Sequence, residues 1–364
     1  PSVHNFDCAQ NHCYSCIMNG KIPADLGTWS SGTSSASRDA ILISKLNDAL
    51  RSSPAGSMLQ ARITEASRSD ADEVGSTLQA FRLQCVFQEN FTHSGVAGKI
   101  AETAVTQGGI VLAAAVCAVS SAVKFQKGVA AIIFEARISF LRPGRIGPAE
   151  CTVTCLTAGR RFGNYEVSLA SPGSGKPYAQ VAVSVRFQQD QLPELPGVSG
   201  SFGLAGMPFP PVPSEHSSHE SKLLKLVSKS LTDASWLFLR YMNPEPVGFD
   251  ASTGTAWLNY YLPRSVCMVE ARTETHEMLY IQEGFVAMVL DNAVSVTNRL
   301  VSEEYRSPVT TLQLQMSYFR RVRWFRAVHE TSHTNDEERI KICAVSRVLY
   351  LSKDNDGSPP CVEA

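Results

Sequence analysis

His93-Ser94-Gly95-Val96-Ala97-Gly98-Lys99-Ile100-Ala101-Glu102-Thr103-Ala104-Val105-Thr106 is the stretch on which the reading of this chain turns. It follows a strand-like run, passes a polar turn at His93 and is expected to become a helix near Gly95. Glu102 lies nine residues after His93, and Thr106 four residues after Glu102. The second half repeats the spacing. There Gln282-Glu283-Gly284-Phe285 opens a helix, Asp291 lies nine residues after Gln282, and Ser295 four after Asp291. One such spacing is unremarkable in a helix, whereas two inside matching flanks need a common cause.

The flanks do match. Upstream of His93, residues 59–65 and 77–88 have strand-like composition and are joined by a polar turn at 68–73. Downstream, residues 108–123 form an Ala- and Ser-rich apolar run, too short for a bilayer span and expected as a buried helix. The period then changes to that of strands over 131–141, 150–158, 164–170 and 178–187. The breaks between them are Arg142-Pro143-Gly144, Gly159-Arg160-Arg161 and Ser171-Pro172-Gly173-Ser174-Gly175. A segment dense in Pro, Gly and Ser follows, and the order restarts: a helix over 223–231, strands over 236–241 and 255–262, and the second marked helix over 284–300. Strands resume over 309–319, 322–331 and 339–351. Ala-Arg-Ile-Ser-Phe-Leu at 136–141 finds its counterpart in Leu-Gln-Met-Ser-Tyr-Phe at 314–319, so the chain holds an internal repeat of roughly 180 residues.

Two strands, a helix opened by a His-Gly-Gly-like turn with a carboxylate nine residues on, then three or four strands: this order resembles the hotdog fold. It most resembles the acyl-CoA thioesterases of the phenylacetate-pathway type. The residues that carry the resemblance are His93-Ser94-Gly95 with Glu102, Ser139-Phe140-Leu141-Arg142-Pro143-Gly144, and the cysteine-containing lead-in Asn11-His12-Cys13-Tyr14-Ser15-Cys16. The resemblance implies an α+β chain of two tandem hotdog folds, each an antiparallel sheet wrapped around a central helix, packed together as a pseudo-dimer. The expected organisation is an irregular N-terminal segment (1–38), a first hotdog domain (39–188), a Pro/Gly/Ser-rich linker (189–221), a second hotdog domain (222–353) and a C-terminal tail (354–364). The second copy departs from the pattern, with Gln282-Glu283-Gly284 in place of His-Gly-Gly and a longer segment over 263–281.

The chemistry follows from the helix ends. A helix N-terminus offers unpaired N–H groups and a partial positive charge. A glycine there, Gly95 or Gly284, lets a thioester carbonyl approach, and one oxyanion donor is worth about 3 kcal/mol. A carboxylate nine residues on lies about 13 Å along its own helix at roughly 1.5 Å per residue, too far to serve that helix's own opening. Each carboxylate should therefore serve the neighbouring helix: Asp291 facing the Gly95 end, Glu102 the Gly284 end. Either would act as general base on water, or as nucleophile. Thr106 and Ser295 would orient that water; His93 and Gln282 would steady the turn or bind the thioester. Taken singly, each has a plainer reading, since a carboxylate on a helix is usually solvated and a histidine in a turn usually only a turn residue.

The expected activity is hydrolysis of an acyl thioester on coenzyme A or an acyl carrier protein, without cofactor or metal. The alternative is a dehydratase- or cyclase-type lyase using His93 and Asp291, and the third is a binding protein that has lost the site. The family's glycine four residues after the histidine is Ala97 here, which weakens the lyase. A formal net charge of −1 implies no nucleic-acid or membrane partner; the nearest basic cluster is Arg320-Arg321-Val322-Arg323 with Arg326. Ten dispersed cysteines without a secretory leader are expected to be reduced thiols in the cytoplasm. Cys8, Cys13 and Cys16 with His4 and His12 lack the second pair a zinc knuckle needs. Asp7 and His12 have hydratase-dyad spacing but lie away from either helix, and no Gly-x-Ser-x-Gly, P-loop or His-Glu-x-x-His occurs. Homo-oligomers of such a chain are expected from the fold.

Overall fold

The structure is a computed structural model. It describes residues 35–68, 77–88, 92–93, 105–188, 212–233, 242–272, 276–301, 313–317, 323–327 and 339–347.

Helix α1 (Ser35–Ser52) and the short α2 (Pro54–Met58) lead into β1 (Arg62–Arg68) and β2 (Leu78–Phe87). A two-stranded hairpin pairs β3 (Thr92–His93) with β4 (Val105–Thr106), and α3 follows as Gly108–Lys127. Strands β5 (Ala131–Phe140), β6 (Gly147–Ala158), β7 (Phe162–Ala170) and β8 (Pro177–Phe187) complete the first half. They form an antiparallel sheet in the order β1-β2-β6-β7-β8-β5, extended by β13 (Gln313–Ser317) from the second half. Alternation decides which face is buried. Phe81, Leu83, Cys85 and Phe87 on β2 and Val181, Val183 and Val185 on β8 point inward, with exposed or half-buried residues between them.

Against that face lies α3, apolar nearly all round because it is covered on every side. The sheet covers one side, and α5 (Glu283–Val301) lies along another. The run of alanines lets backbones approach closely, and Gly128 ends the helix in the left-handed conformation (φ 72°), where a side chain would be strained. Among the described residues α3 is the one helix long and apolar enough to cross a membrane; it is a core helix instead.

The second half contributes α4 (Ser218–Asp233), β9 (Pro244–Asp250), β10 (Thr255–Pro263), β11 (Cys267–Arg272), β12 (His276–Ile281), α5, β14 (Arg323–Ala327) and β15 (Arg339–Arg347). Their strands form two three-stranded sheets, β15-β10-β9 and β11-β12-β14. The extra length at 263–281 is a single 3-10 turn and the β11–β12 hairpin. Strand β9 was not expected from its Pro244-Glu245-Pro246 start, but prolines are tolerated on the edge strand it occupies. The corresponding Ala136 and Met316 stretches meet: β5 and β13 pair antiparallel, Ala136 opposite Met316 and Ile138 opposite Leu314.

The decisive stretch folds differently from expectation. The helix does not open at Gly95 but at Gly108, and Val105-Thr106 is a strand. β-branched Thr103, Val105 and Thr106 favour extended backbone, while the apolar run that needs covering begins only after Gly108-Gly109. Residues 94–104, with Gly95 and Glu102, lie outside the described residues, as do the expected strand at 236–241 and Cys8, Cys13 and Cys16.

Candidate active site

The opening of α3 sets the site. Gln107 is extended (φ −60°, ψ 139°), and its carbonyl accepts from the N–H of Ile110 (3.1 Å) and Val111 (3.3 Å). That satisfies the third and fourth N–H groups of the helix and leaves those of Gly108 and Gly109. Gly109 N–H donates to Asp291 Oδ2 at 2.9 Å. Asp291 reaches across from α5 and is only 3% exposed. A carboxylate so buried needs hydrogen bonds and positive charge, and the N-terminal end of α3 supplies both.

The two glycines have different tasks. A Cβ on Gly109 would lie 2.7 Å from Met288 Cα and 3.0 Å from the Ala287 carbonyl oxygen, so glycine is what lets the two helices touch. A Cβ on Gly108 would instead lie 3.4 Å from each Asp291 oxygen and 3.1 Å from Phe140 Cζ. Its absence keeps open the space beside the carboxylate. Gln107, directly before the helix, is 6% exposed, and its Oε1 is buried with no hydrogen bond among the described residues. Tyr178, whose hydroxyl is likewise buried and unpartnered, lies against Gly144 of the loop that holds Thr106: a Cβ there would be 3.2 Å from the Tyr178 ring and 3.8 Å from Thr106 Cβ.

Burial dominates the electrostatics around this point. It pushes the Tyr178 phenol well up, with Cys151 and Cys85 adding to the effect. Burial first, and then the Asp291 carboxylate, also hold the Tyr260 phenol protonated while it donates to Asn292 Oδ1 at 2.9 Å. The Cys117 thiol is pushed up to about 12 by burial and by Cys85 beside it, so these thiols are packing residues rather than nucleophiles. Among the described residues no group of His, Cys, Asp and Glu could hold a metal.

About one turn away, the opening of α5 has the same packing and different chemistry. Gly284 stands against Ala113, its Cβ position 2.9 Å from Ala113 Cβ, as Gly109 stands against Met288. The helices therefore run antiparallel, each glycine set against its partner. Nine residues after Gln107, however, stands buried Val116 where α5 has Asp291. Gln282 is spent as well, its Oε1 accepting from Ala55 N–H of α2 at 3.0 Å.

Of the expected residues, then, Asp291 and a helix opening do meet across the helix pair, but the opening is Gln107-Gly108-Gly109. His93 is a strand residue paired with Val105, which removes the basis for its place at the helix opening. Thr106 does not follow a carboxylate on a helix. It precedes α3, its N–H donating to the Gly144 carbonyl (3.0 Å) and its hydroxyl to that of Arg145 (3.4 Å). Ser295 lies one turn beyond Asp291 as expected, with its hydroxyl donating to the Asp291 carbonyl at 3.1 Å. Gln107, Gly108, Gly109 and Phe140 were missed. The signal was present, since Gln-Gly-Gly directly before an apolar helical run fits the turn better than His-Ser-Gly does.

Residues 98–188 match the family model of the acyl-CoA thioesterase N-terminal domain. No curated protein sequence matches the chain. Among solved structures, the E. coli PaaI protein of the phenylacetic acid degradation operon is similar at 16% identity, over 42% of this chain and 95% of that one (TM-score 0.33). Zebrafish thioesterase superfamily member 2 is similar at 17% identity, over 40% and 94% (TM-score 0.32). A Haemophilus influenzae thioesterase is similar at 19% identity, over 41% and 91% (TM-score 0.31).

Proposed function

From a chain that carries a hotdog thioesterase-like domain over residues 98–188, we propose that the protein hydrolyses acyl thioesters at a single site made by α3 and α5 together. The observation that carries the reading is the 2.9 Å bond from Gly109 N–H to Asp291 Oδ2, beside the space left by Gly108. In this reading the thioester carbonyl oxygen meets the Gly108 N–H, which makes no hydrogen bond among the described residues. Gln107 steadies it with its side-chain amide. Asp291 takes a proton from water, the water oxygen bonds to the carbonyl carbon, and a tetrahedral oxyanion forms at the helix end. Collapse breaks the C–S bond; the thiolate recovers the proton, leaving a carboxylic acid and a free thiol. General-base assistance of this kind contributes about 10²- to 10⁴-fold. Ser295 and Thr106 act through the backbone, fixing the Asp291 turn and the loop before α3.

The same reading makes the chain a double hotdog, the two halves related as two subunits would be. The antiparallel α3–α5 contact and the β5–β13 pairing support it. The second site would then be closed: Val116 replaces its carboxylate and α2 occupies Gln282. Cys85, Cys117, Cys151, Cys155 and Cys267 are free thiols, which suits the reducing cytoplasm in which we place the reaction.

One observation favours a plainer role. A buried carboxylate capping a helix end could serve packing alone. Asp291→Asn separates the two, because the amide oxygen can keep the Gly109 bond while losing the base. Hydrolysis should fall at least about 10²-fold with the unfolding midpoint little changed; full turnover in this variant would leave Asp291 a structural cap. No observation favours the dehydratase or cyclase, since the residue at the helix opening is Gln107, an amide with no proton to transfer at neutral pH.

A further inference from the structure

A cavity of about 400 Å³ lies where α1, α2 and the start of β1 meet, lined by Asn47, Arg51, Ser57, Gln60 and Arg62 among others. That is the size of a small-molecule site. Its walls are fixed. The Asn47 amide ties α1 to β1, donating to the Ile63 carbonyl (3.3 Å) and accepting from the Ile63 N–H (2.7 Å). The turn that ends α2 is closed twice. Gln60 N–H donates to the Ser57 carbonyl (3.1 Å), and Ala61 N–H to that of Gly56 (2.7 Å), two further lining residues. Such a turn holds one residue in the left-handed conformation, where glycine is usual. Here that residue is Gln60, at φ 49°. A side chain kept where the backbone favours glycine, and lining a cavity, calls for a reason beyond the turn. Charge supplies one. Arg51 and Arg62 are both exposed; among the described residues Arg62 enters no ion pair and Arg51 pairs with Asp48 alone.

We propose that this cavity binds a small organic anion, its carboxylate or phosphate held by Arg62 and Arg51 with the Gln60 amide, and that α2 links the bound anion to the opening of α5. Guanidinium groups match the oxygens of either anion in pairs and stay charged at all working pH values. Asp48 offsets part of the charge on Arg51, so Arg62 is the stronger anchor. A bare inorganic ion would leave most of the volume empty, so the ligand carries an organic body. The link to α5 is short. Gly56, in the cavity wall, follows Ala55, whose N–H donates to Gln282 Oε1 (3.0 Å) directly before α5. Nor can α2 shift alone. A Cβ on Gly56 would overlap the Leu50 carbonyl oxygen and Ser53 Oγ, and Val86 N–H of β2 donates to the Leu59 carbonyl (2.8 Å). An anion gripping Gln60 therefore favours the arrangement in which α2 holds Gln282. Asp291 lies on the helix so held, and an effect on turnover would follow. That consequence alone rests on the hydrolase reading; the site and its link do not.

The test is a calorimetric titration of the full chain with hexanoate, with hexyl phosphate and with hexanol, which share one apolar body and differ in charge. At least one anion should bind more tightly than hexanol, and the tighter anion tells whether the natural ligand carries a carboxylate or a phosphate. Hexanol binding as tightly as both anions, or no binding at all, overturns the proposal. In R62A the Kd of the tighter anion should rise about tenfold. Gln60→Gly should raise it about threefold while the urea midpoint holds or rises, because glycine relieves the turn. A Kd unchanged in both variants overturns the site. Gln282 does not line the cavity, so Gln282→Met reads the link: coupling is reciprocal, and breaking the Ala55 bond should raise the Kd about fivefold. An unchanged Kd in that variant overturns the link. Every readout is binding or stability, so failure here is distinct from failure of the hydrolase reading, which Asp291→Asn decides.

Discussion

Replacing Gly108 by alanine separates the chemistry of the site from its folding. The new methyl would sit 3.4 Å from both Asp291 oxygens, in the space a thioester carbonyl needs to reach the α3 N–H groups. Its tightest contact is Phe140 Cζ at 3.1 Å, the far end of a half-buried ring that can give by a few tenths of an ångström. Gly108 lies within the helix, so alanine meets no backbone strain there and gains up to about 1 kcal/mol of helix propensity. Net stability should therefore stay within about 1 kcal/mol of the parent chain. Activity should not. Displacing a reacting group by about 1 Å costs on the order of 10²-fold, or roughly 2.7 kcal/mol in kcat/KM. Thiol release from a panel of acyl-CoA substrates measures the first quantity and urea denaturation the second. Undiminished turnover at unchanged stability would mean that substrate does not approach through Gly108, and the reading of the site would be wrong. A loss of more than about 3 kcal/mol of stability would be equally damaging, because Gly108 would then be a packing residue like Gly109.

Gly284→Ala should be destabilising by about 1–3 kcal/mol, because the added Cβ meets Ala113 Cβ at 2.9 Å and Ala113 Cα at 3.1 Å. Ala113→Gly in the same chain should recover part of that loss; a double-mutant cycle with coupling under about 0.5 kcal/mol would contradict the close helix contact. At the start of α4, Glu220 accepts from Ala251 N–H (3.1 Å) and from Ser217 N–H (2.8 Å), and these bonds hold its carboxyl below the usual value of 4.5. A depressed folded pKa stabilises above the unfolded value and loses that contribution as pH falls through the folded one. Urea midpoints should therefore drop between pH 6 and about pH 3 more in the parent chain than in Glu220→Gln, and parallel curves would contradict the linkage.

Strands and core were largely legible because the physics that fixes them is periodic. Val181, Val183 and Val185 can face only one way once the strand exists, and an apolar run like that of α3 has to be covered. What was not legible was where α3 begins. Glu102 at nine residues from His93 supplied a spacing that mimicked Asp291 and Gln282, and it outweighed Gln107-Gly108-Gly109, whose paired glycines read as loop. Only the hydrogen bonds of Ile110 and Val111 back to Gln107 place the opening. That Asp291 reaches the neighbouring helix was legible, because it ends the apolar run 284–290 and lies nine residues from its own helix opening. The fate of Gln282 could not be read, because Ala55, its partner, is remote in sequence and reaches it only through the fold.

The asymmetry of the helix pair bears on whether Asp291 works. Gly109 and Gly284 perform the same packing task at the two helix openings, so the contact itself makes no demand for a carboxylate at either. Val116 shows what packing alone asks for nine residues in from a helix opening: a buried aliphatic side chain, worth about 1.5–3 kcal/mol. Asp291 forgoes that gain and adds the cost of burying a carboxyl group, against hydrogen bonds that include the one from Gly109 at the α3 opening. Packing alone would fill this position with valine; a carboxyl group stands there instead, beside a gap that only glycine leaves open. The general base proposed for Asp291 accounts for that choice, and the same proposal leaves no such role at Val116, where Gln282 is already bound by Ala55 of α2.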